Sequence, residues 1–291
     1  MSKDIIGLLN KDLEGEHAAI IQYLNHAYAM GEGEVACEIE AIAREEMRHL
    51  DWLAETIVEL GGTPSFRRGK MRKPGKLIPG WMKDDVLAEE DAIAMYKEHI
   101  EAISNPRIKR LLRRILSDEV AHRGKFAHLV DKVKKEDMKD LRGPRKDKVA
   151  DTLNWGIEHE YTVIIQYLLH SYMAKGEEAR EELQDQAINE MQHMGWLAEE
   201  TVSGKGTPRM EHTQVFKSSN MANNLKADIE IEKEVATEYG RAAKELKDPG
   251  LKELLLRIKG HEDYHAALFS DLLKEETKSK KKKETKAKKK K

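Results

Sequence analysis

The sequence predicts an all-α fold, two tandem four-helix bundles with one long crossover connection in each. Three observations predict it. The first is an internal repeat. EHAAIIQYLNHAYAMG (16–31) aligns with EYTVIIQYLLHSYMAK (160–175), EEMRHLDWLAE (45–55) with NEMQHMGWLAE (189–199), and Gly62-Thr63-Pro64 with Gly206-Thr207-Pro208, all at an offset of 144 residues. Asp85, Glu89, Tyr96, Glu119 and His122 match Asp228, Glu232, Tyr239, Glu262 and His265 at an offset of 143. The second is composition: 36% charged residues, 5% aromatic and seven prolines in 291 residues suit long amphipathic helices. The third is the lack of any alternating strand pattern of useful length.

The elements follow from their punctuation. A first helix runs from about Lys3 to Met30 and breaks at GEGE (31–34); a second runs from about Val35 to Leu60 and breaks at Gly61-Gly62. The connection TPSFRRGKMRKPGKLIPG (63–80) comes next. At ~3.3 Å per extended residue it can run the length of a bundle. A third helix runs from about Met82 to Ile103, and SNP (104–106) stops it and starts a fourth, from about Arg107 to Lys135. The second repeat has breaks at Lys175-Gly176, at SGKGTP (203–208) and at DPG (248–250). Two hairpins joined by a crossover make a four-helix bundle. The domains are 1–137 and 146–275, divided in the polar stretch 134–148, and 276–291 is read as a disordered Lys-rich tail.

Composition also excludes. Cys37 is the one cysteine, so there is no internal disulfide framework and no Cys-based zinc or iron–sulfur site. No run reaches the roughly 20 apolar residues of a membrane span. The N-terminus carries no apolar core of signal-peptide length. The chain reads as cytoplasmic, without membrane contact. The net charge of −2 hides a contrast: residues 278–291 hold ten lysines and one glutamate, +9, leaving −11 on the other 277 residues. The tail is read as a solubilising extension, or as a tether to nucleic acid or another anionic surface.

Residue counting brings carboxylates together. Glu16 lies about 15 residues before its turn and Glu46 about 14 after it. At 1.5 Å per residue both sit ~20 Å from the turn, at one height. Glu89 and Glu119 straddle SNP alike, Glu160 and Glu190 straddle Lys175-Gly176, and Glu232 and Glu262 straddle DPG. His49, His122, His193 and His265 each follow a glutamate by three residues, on the same helix face. Each repeat thus gathers four glutamates and two histidines. Four buried carboxylates repel and lose solvation, whereas two divalent cations neutralise them. Oxygen and imidazole donors without thiolate suit iron or manganese.

At these residues the chain resembles the ferritin-like superfamily, and within it bacterioferritin, over about 4–135 and 147–275. The resemblance implies two non-haem di-iron centres. Glu46 and Glu119 would bridge, and Glu16, His49, Glu89 and His122 would be terminal ligands; Glu160, Glu190, His193, Glu232, Glu262 and His265 repeat the set. It further implies a ferroxidase acting on Fe(II) with O2 or H2O2, in iron handling or oxidative-stress protection. A di-iron peroxidase or oxygenase, and an iron or haem carrier without turnover, are the alternatives. The chain departs from the family in its fusion of two domains, its lysine tail and its basic first crossover, so a storage shell does not carry over. The two halves form a pseudo-dimer within one chain, open to further homo-oligomerisation.

Other repeated residues have two readings each. Tyr23, Tyr96, Tyr167 and Tyr239 follow a glutamate by seven residues and are expected to stack above it, as hydrogen-bonding core residues or as redox relays. Met47 and Met191 are ~100° around the helix from the ligand glutamates. They fill an interface, or, as the resemblance implies, hold one haem b between the halves. His26 and His170 read as polar or interface residues with transient iron entry as the alternative. Trp52 and Trp196 read as packing residues. The basic crossover (Arg67, Arg68, Lys70, Arg72, Lys73, Lys76) reads as a solvated loop.

Overall fold

A computed structural model describes residues 2–31, 33–72, 78–133 and 148–288. Those residues form eight helices and no strand. Helices α1 (Ser2–Met30), α2 (Glu34–Glu59), α3 (Ile78–Ala102) and α4 (Pro106–Lys132) make the first unit, and α5 (Lys148–Met173), α6 (Glu177–Ser203), α7 (Met221–Glu245) and α8 (Pro249–Lys288) the second. In unit 1, α1 packs on α2 and α3 on α4, and the hairpins meet through α1–α3 and α2–α4. Unit 2 repeats this with α5–α6, α7–α8, α5–α7 and α6–α8. The stretch between the units, 134–147, lies outside the described residues, as do Lys73 and Lys76 of the basic crossover.

The breaks have local causes. At the end of α2, Gly61 N–H donates to Val58 O at 2.9 Å and Gly62 N–H to Ile57 O at 2.8 Å, with Gly61 at φ 78°. This is the Schellman cap, which needs a left-handed residue just past the helix. Past the end of α6, Lys205 stands at that position with φ 63°, a conformation costly to a residue with a Cβ. Helix α4 starts on Asn105, whose side chain accepts from Arg107 N–H at 2.9 Å, with Pro106 in the first turn. Helix α8 starts the same way: Asp248 Oδ1 accepts from Gly250 N–H at 2.8 Å and Leu251 N–H at 3.1 Å.

The crossovers are strapped along the first helix of each unit. Asn10 Oδ1 accepts from Ser65 N–H at 2.7 Å, Glu14 O from Gly69 N–H at 2.8 Å, and Gln22 Oε1 from Arg72 N–H at 2.9 Å. In unit 2, Asn154 and Gln166 hold Arg209 N–H at 2.7 Å and Phe216 N–H at 2.8 Å. Gly69 has to be glycine, because a Cβ there would stand 2.5 Å from Glu14 O. The crossover arginines are tied down: Arg67 pairs with Glu14 at 2.9 Å, and Arg72 pairs with Asp91.

His26 and His170 belong to this strapping. Each Nδ1 sits 2.9 Å from a buried carboxylate, Asp85 for His26 and Asp228 for His170, and those carboxylates also accept from Gln22 and Gln166 at 2.8 Å. Helix α8 runs on through Lys288, where the sequence reading has a disordered tail from 276. Lysine and glutamate are good helix formers, and with no glycine or proline after Gly260 nothing in the sequence ends the helix sooner.

Candidate metal centres

The structure brings the counted residues together in two clusters. In unit 1, Glu16, Glu46, His49 and Glu119 offer ligand atoms that all lie within 4.8 Å of one another, and so do Glu46, Glu89, Glu119 and His122. Glu46 and Glu119 belong to both groups. Unit 2 repeats this with Glu160, Glu190, His193 and Glu262, and with Glu190, Glu232, Glu262 and His265. All twelve side chains are buried.

The Nδ1 atoms of the four histidines face the carboxylates. His49 Nδ1 is 2.8 Å from Glu46 Oε2, 3.0 Å from Glu119 Oε1 and 3.7 Å from Glu16 Oε2. His122 Nδ1 is 2.9 Å from Glu46 Oε1 and 4.0 Å from Glu89 Oε1. His193 Nδ1 is 2.7 Å from Glu190 Oε2 and 3.1 Å from Glu262 Oε1. His265 Nδ1 is 2.7 Å from Glu190 Oε1 and 3.6 Å from Glu232 Oε1.

Proximity here is not hydrogen bonding throughout. Glu46 Oε2, His49 Nδ1, Glu89 Oε2 and Glu119 Oε1 are buried without a hydrogen-bond partner, as are Glu160 Oε2, Glu190 Oε1, Glu262 Oε1 and His265 Nδ1. Buried polar atoms are rarely left so. Eight such atoms, four in each unit and converging on two foci there, all oxygen or imidazole nitrogen, fit a pair of divalent cations in each unit.

Without cations, protons balance the charge. Burial pushes Glu16 up to about 7 against the pull of the neighbouring His49 imidazole, and burial and the Glu46 charge raise Glu89 and Glu119 well above the usual range. Burial also acts to raise Glu46, but a hydrogen bond from His122 and the close His49 imidazole outweigh it and hold it at about 2. Burial disfavours the charged imidazoles, yet the glutamates around them prevail and raise His193 to about 9 and His265 to about 12.

The tyrosines differ from the expectation of stacking above the glutamate on their own helix. Each hydroxyl reaches the facing helix instead: Tyr23 donates to Glu89 Oε1 at 2.7 Å, Tyr96 to Glu16, Tyr167 to Glu232 and Tyr239 to Glu160. Trp52 and Trp196 pack beside the cluster imidazoles, 5.8 Å from His49 and 5.6 Å from His193. Met47 and Met191 are half-buried.

Three residues next to the cluster escaped the sequence reading. His122 Nε2 is 2.5 Å from Glu45 Oε2, His49 Nε2 is 3.4 Å from Asp118 Oδ2, and His193 Nε2 is 2.8 Å from His261 Nδ1. Each immediately precedes a ligand glutamate, which is the signal that would have found them.

A model of the ferritin-like domain matches residues 6–136 and again 150–278. The chain belongs to the ferritin-like family. It is similar to the bacterioferritin of Desulfovibrio desulfuricans, 33% identical over 124 residues that cover 40% of this chain and 69% of that one. It is also similar to the bacterioferritin of Mycobacterium bovis, 29% identical over 125 residues, 41% of this chain and 79% of that one. Among solved structures it matches the D. desulfuricans bacterioferritin whose diiron site was seen in different catalytic states, at 31% identity and a TM-score of 0.44, over 46% of this chain and 81% of that one. Each of these matches is about one ferritin-like unit long. No helix among the described residues is long and apolar enough to cross a membrane.

Proposed function

We propose that each ferritin-like unit is a ferroxidase centre in which two Fe(II) ions bind as substrate among four glutamates and two histidines and are oxidised by O2 or H2O2. The observation that supports this is the set of eight buried, unpartnered ligand atoms around foci that share Glu46 and Glu119 in one unit and Glu190 and Glu262 in the other. The bacterioferritin relatives point the same way.

When bound, the metal pair supplies two electrons to the oxidant. The chain's own residues do the rest. Glu46 and Glu119, shared by the two groups, would hold both ions. Glu16 with His49, and Glu89 with His122, would complete the two sides. The tyrosine hydroxyls hold the outer glutamates in place across the bundle; a redox role for the same phenols would show as a tyrosyl radical signal lost in Tyr→Phe variants. Loading displaces protons from the imidazoles and from Glu16, Glu89 and Glu119, so uptake of metal strengthens as pH rises.

The test is anaerobic loading with Fe(II) followed by air or H2O2, measuring ferric absorbance and oxidant consumed, in the wild type and in an E46A/E190A variant. Rapid oxidation in the wild type and its loss in the variant is the expected result. Equal rates in both would reject the proposal, and binding without oxidation would replace it with a carrier.

A further inference from the structure

The two centres are unlike behind their histidines. In unit 1 both imidazoles face a carboxylate, since His49 Nε2 lies 3.4 Å from Asp118 Oδ2 and His122 Nε2 2.5 Å from Glu45 Oε2. In unit 2 the residue equivalent to Asp118 is His261, at the offset of 143, and the equivalent of Glu45 is Asn189, at the offset of 144. His193 Nε2 meets His261 Nδ1 at 2.8 Å, while Asn189 turns its amide to Gln186 Oε1 at 3.1 Å.

The surroundings follow the exchange. Arg114 pairs with Asp118 at 3.2 Å. Its counterpart Arg257 has no carboxylate at 261 to meet, and lies 4.5 Å over the Trp196 ring. The His261 ring stacks on His193, 5.1 Å away. Asp118 and Glu45 thus place two negative charges behind the unit 1 pair, and the unit 2 pair has neither.

The proton positions follow from geometry. Each ligand imidazole turns Nδ1 to the glutamates. Metal at Nδ1 leaves the ring proton on Nε2. In unit 1 that proton points at a carboxylate. In unit 2 the His193 proton points at His261 Nδ1, which therefore carries none, and His261 keeps its proton on its own Nε2. A metal-bound imidazole that donates to a carboxylate is a stronger donor to its metal than one that donates to a neutral group.

We propose that the two centres differ in kind: unit 1 binds divalent metal more tightly and favours its more highly charged state, and unit 2 binds more loosely and is the more easily reduced, with His261 the positioning residue that sets the difference. Metal then fills the chain in order, unit 1 before unit 2. The inference rests on the metal-centre reading above.

Co2+ tests it without turnover. The full chain is titrated anaerobically and the visible d–d bands are followed. E46A/E119A and E190A/E262A variants assign each phase to a unit. Two phases about 10- to 100-fold apart in affinity are expected, the tighter one lost in E46A/E119A. H261D should tighten the unit 2 phase about tenfold or more, H261N should leave it near wild type, and D118N should loosen the unit 1 phase by a similar factor. Far-UV circular dichroism checks that each variant is folded, and because H261D and D118N lie in different units, one remains informative if the other misfolds. Equal affinities in the two units would overturn the inference, and so would equal effects of H261D and H261N, since shape rather than charge would then be in control. If Co2+ binds nowhere, the metal-centre reading itself falls; if it binds both units alike, only this inference does.

Discussion

Glu16 shows how the cluster sets function against stability. It is buried beside His49 and held by Tyr96, and burial raises its pKa from 4.5 to about 7. That is about 2.5 pH units, and at 1.36 kcal/mol per unit its ionised form costs the metal-free fold about 3 kcal/mol. The sign is fixed by linkage. A group whose folded pKa is raised contributes stability below its unfolded pKa and loses it as pH rises through the folded one, here from about 4.5 to about 7. Glu16→Gln removes the titration while keeping an oxygen for Tyr96. In chelator-treated protein the variant should match the wild type near pH 4.5 and exceed it by about 3 kcal/mol above pH 8. Native-state hydrogen exchange read on α1–α4 measures this in unit 1 alone, and comparison at equal pH cancels the intrinsic exchange rate. With Co2+ present the order should reverse, because the wild type gains binding energy that the variant lacks. A variant advantage that is the same at both pH values, or that survives metal, would refute the account.

Gly69→Ala should destabilise unit 1 by about 1–3 kcal/mol, measured by denaturation, because the new Cβ meets Glu14 O at 2.5 Å and breaks the strap. Lys205→Gly should stabilise by roughly 0.5–1 kcal/mol, since glycine takes the left-handed position without strain; no gain would mean that the φ of 63° carries no penalty there. Protein from haem-replete expression should show no Soret band if Met47 and Met191 only pack, and a band lost in a M47L/M191L variant would reverse that reading. Truncation after Thr277 should abolish any salt-sensitive retention on a polyanion column, and retention that persists would clear the lysine tail of that role.

Most of the fold was legible because punctuation in this chain is local. Gly61-Gly62, Asn105-Pro106 and Asp248-Pro249 each carry their own capping chemistry, so the turns, and with them the heights of the glutamates, could be counted. The glutamate and histidine positions follow from those heights. Glu45, Asp118 and His261 were not legible in that way. A residue one position from a ligand is ~100° around its helix, and whether it faces solvent or the back of an imidazole depends on how the facing helix is rotated. For the tyrosines, spacing along one helix points to hydrogen-bonding core residues, and the glutamate that each one meets lies on another helix. The helical extent of the tail rests on the helix propensity of lysine and glutamate, which the charge run by itself does not display.

The crossed tyrosines make a forecast about descent. Tyr23 is tied to Glu89 and Tyr96 to Glu16, so neither is answerable to the glutamate of its own helix. A lineage that lost Glu89 would release Tyr23 to drift toward phenylalanine while Tyr96 stayed put. Drift should therefore run between the facing helices, α1 with α3 and α5 with α7, and each repeat is free to erode one tyrosine–glutamate tie at a time.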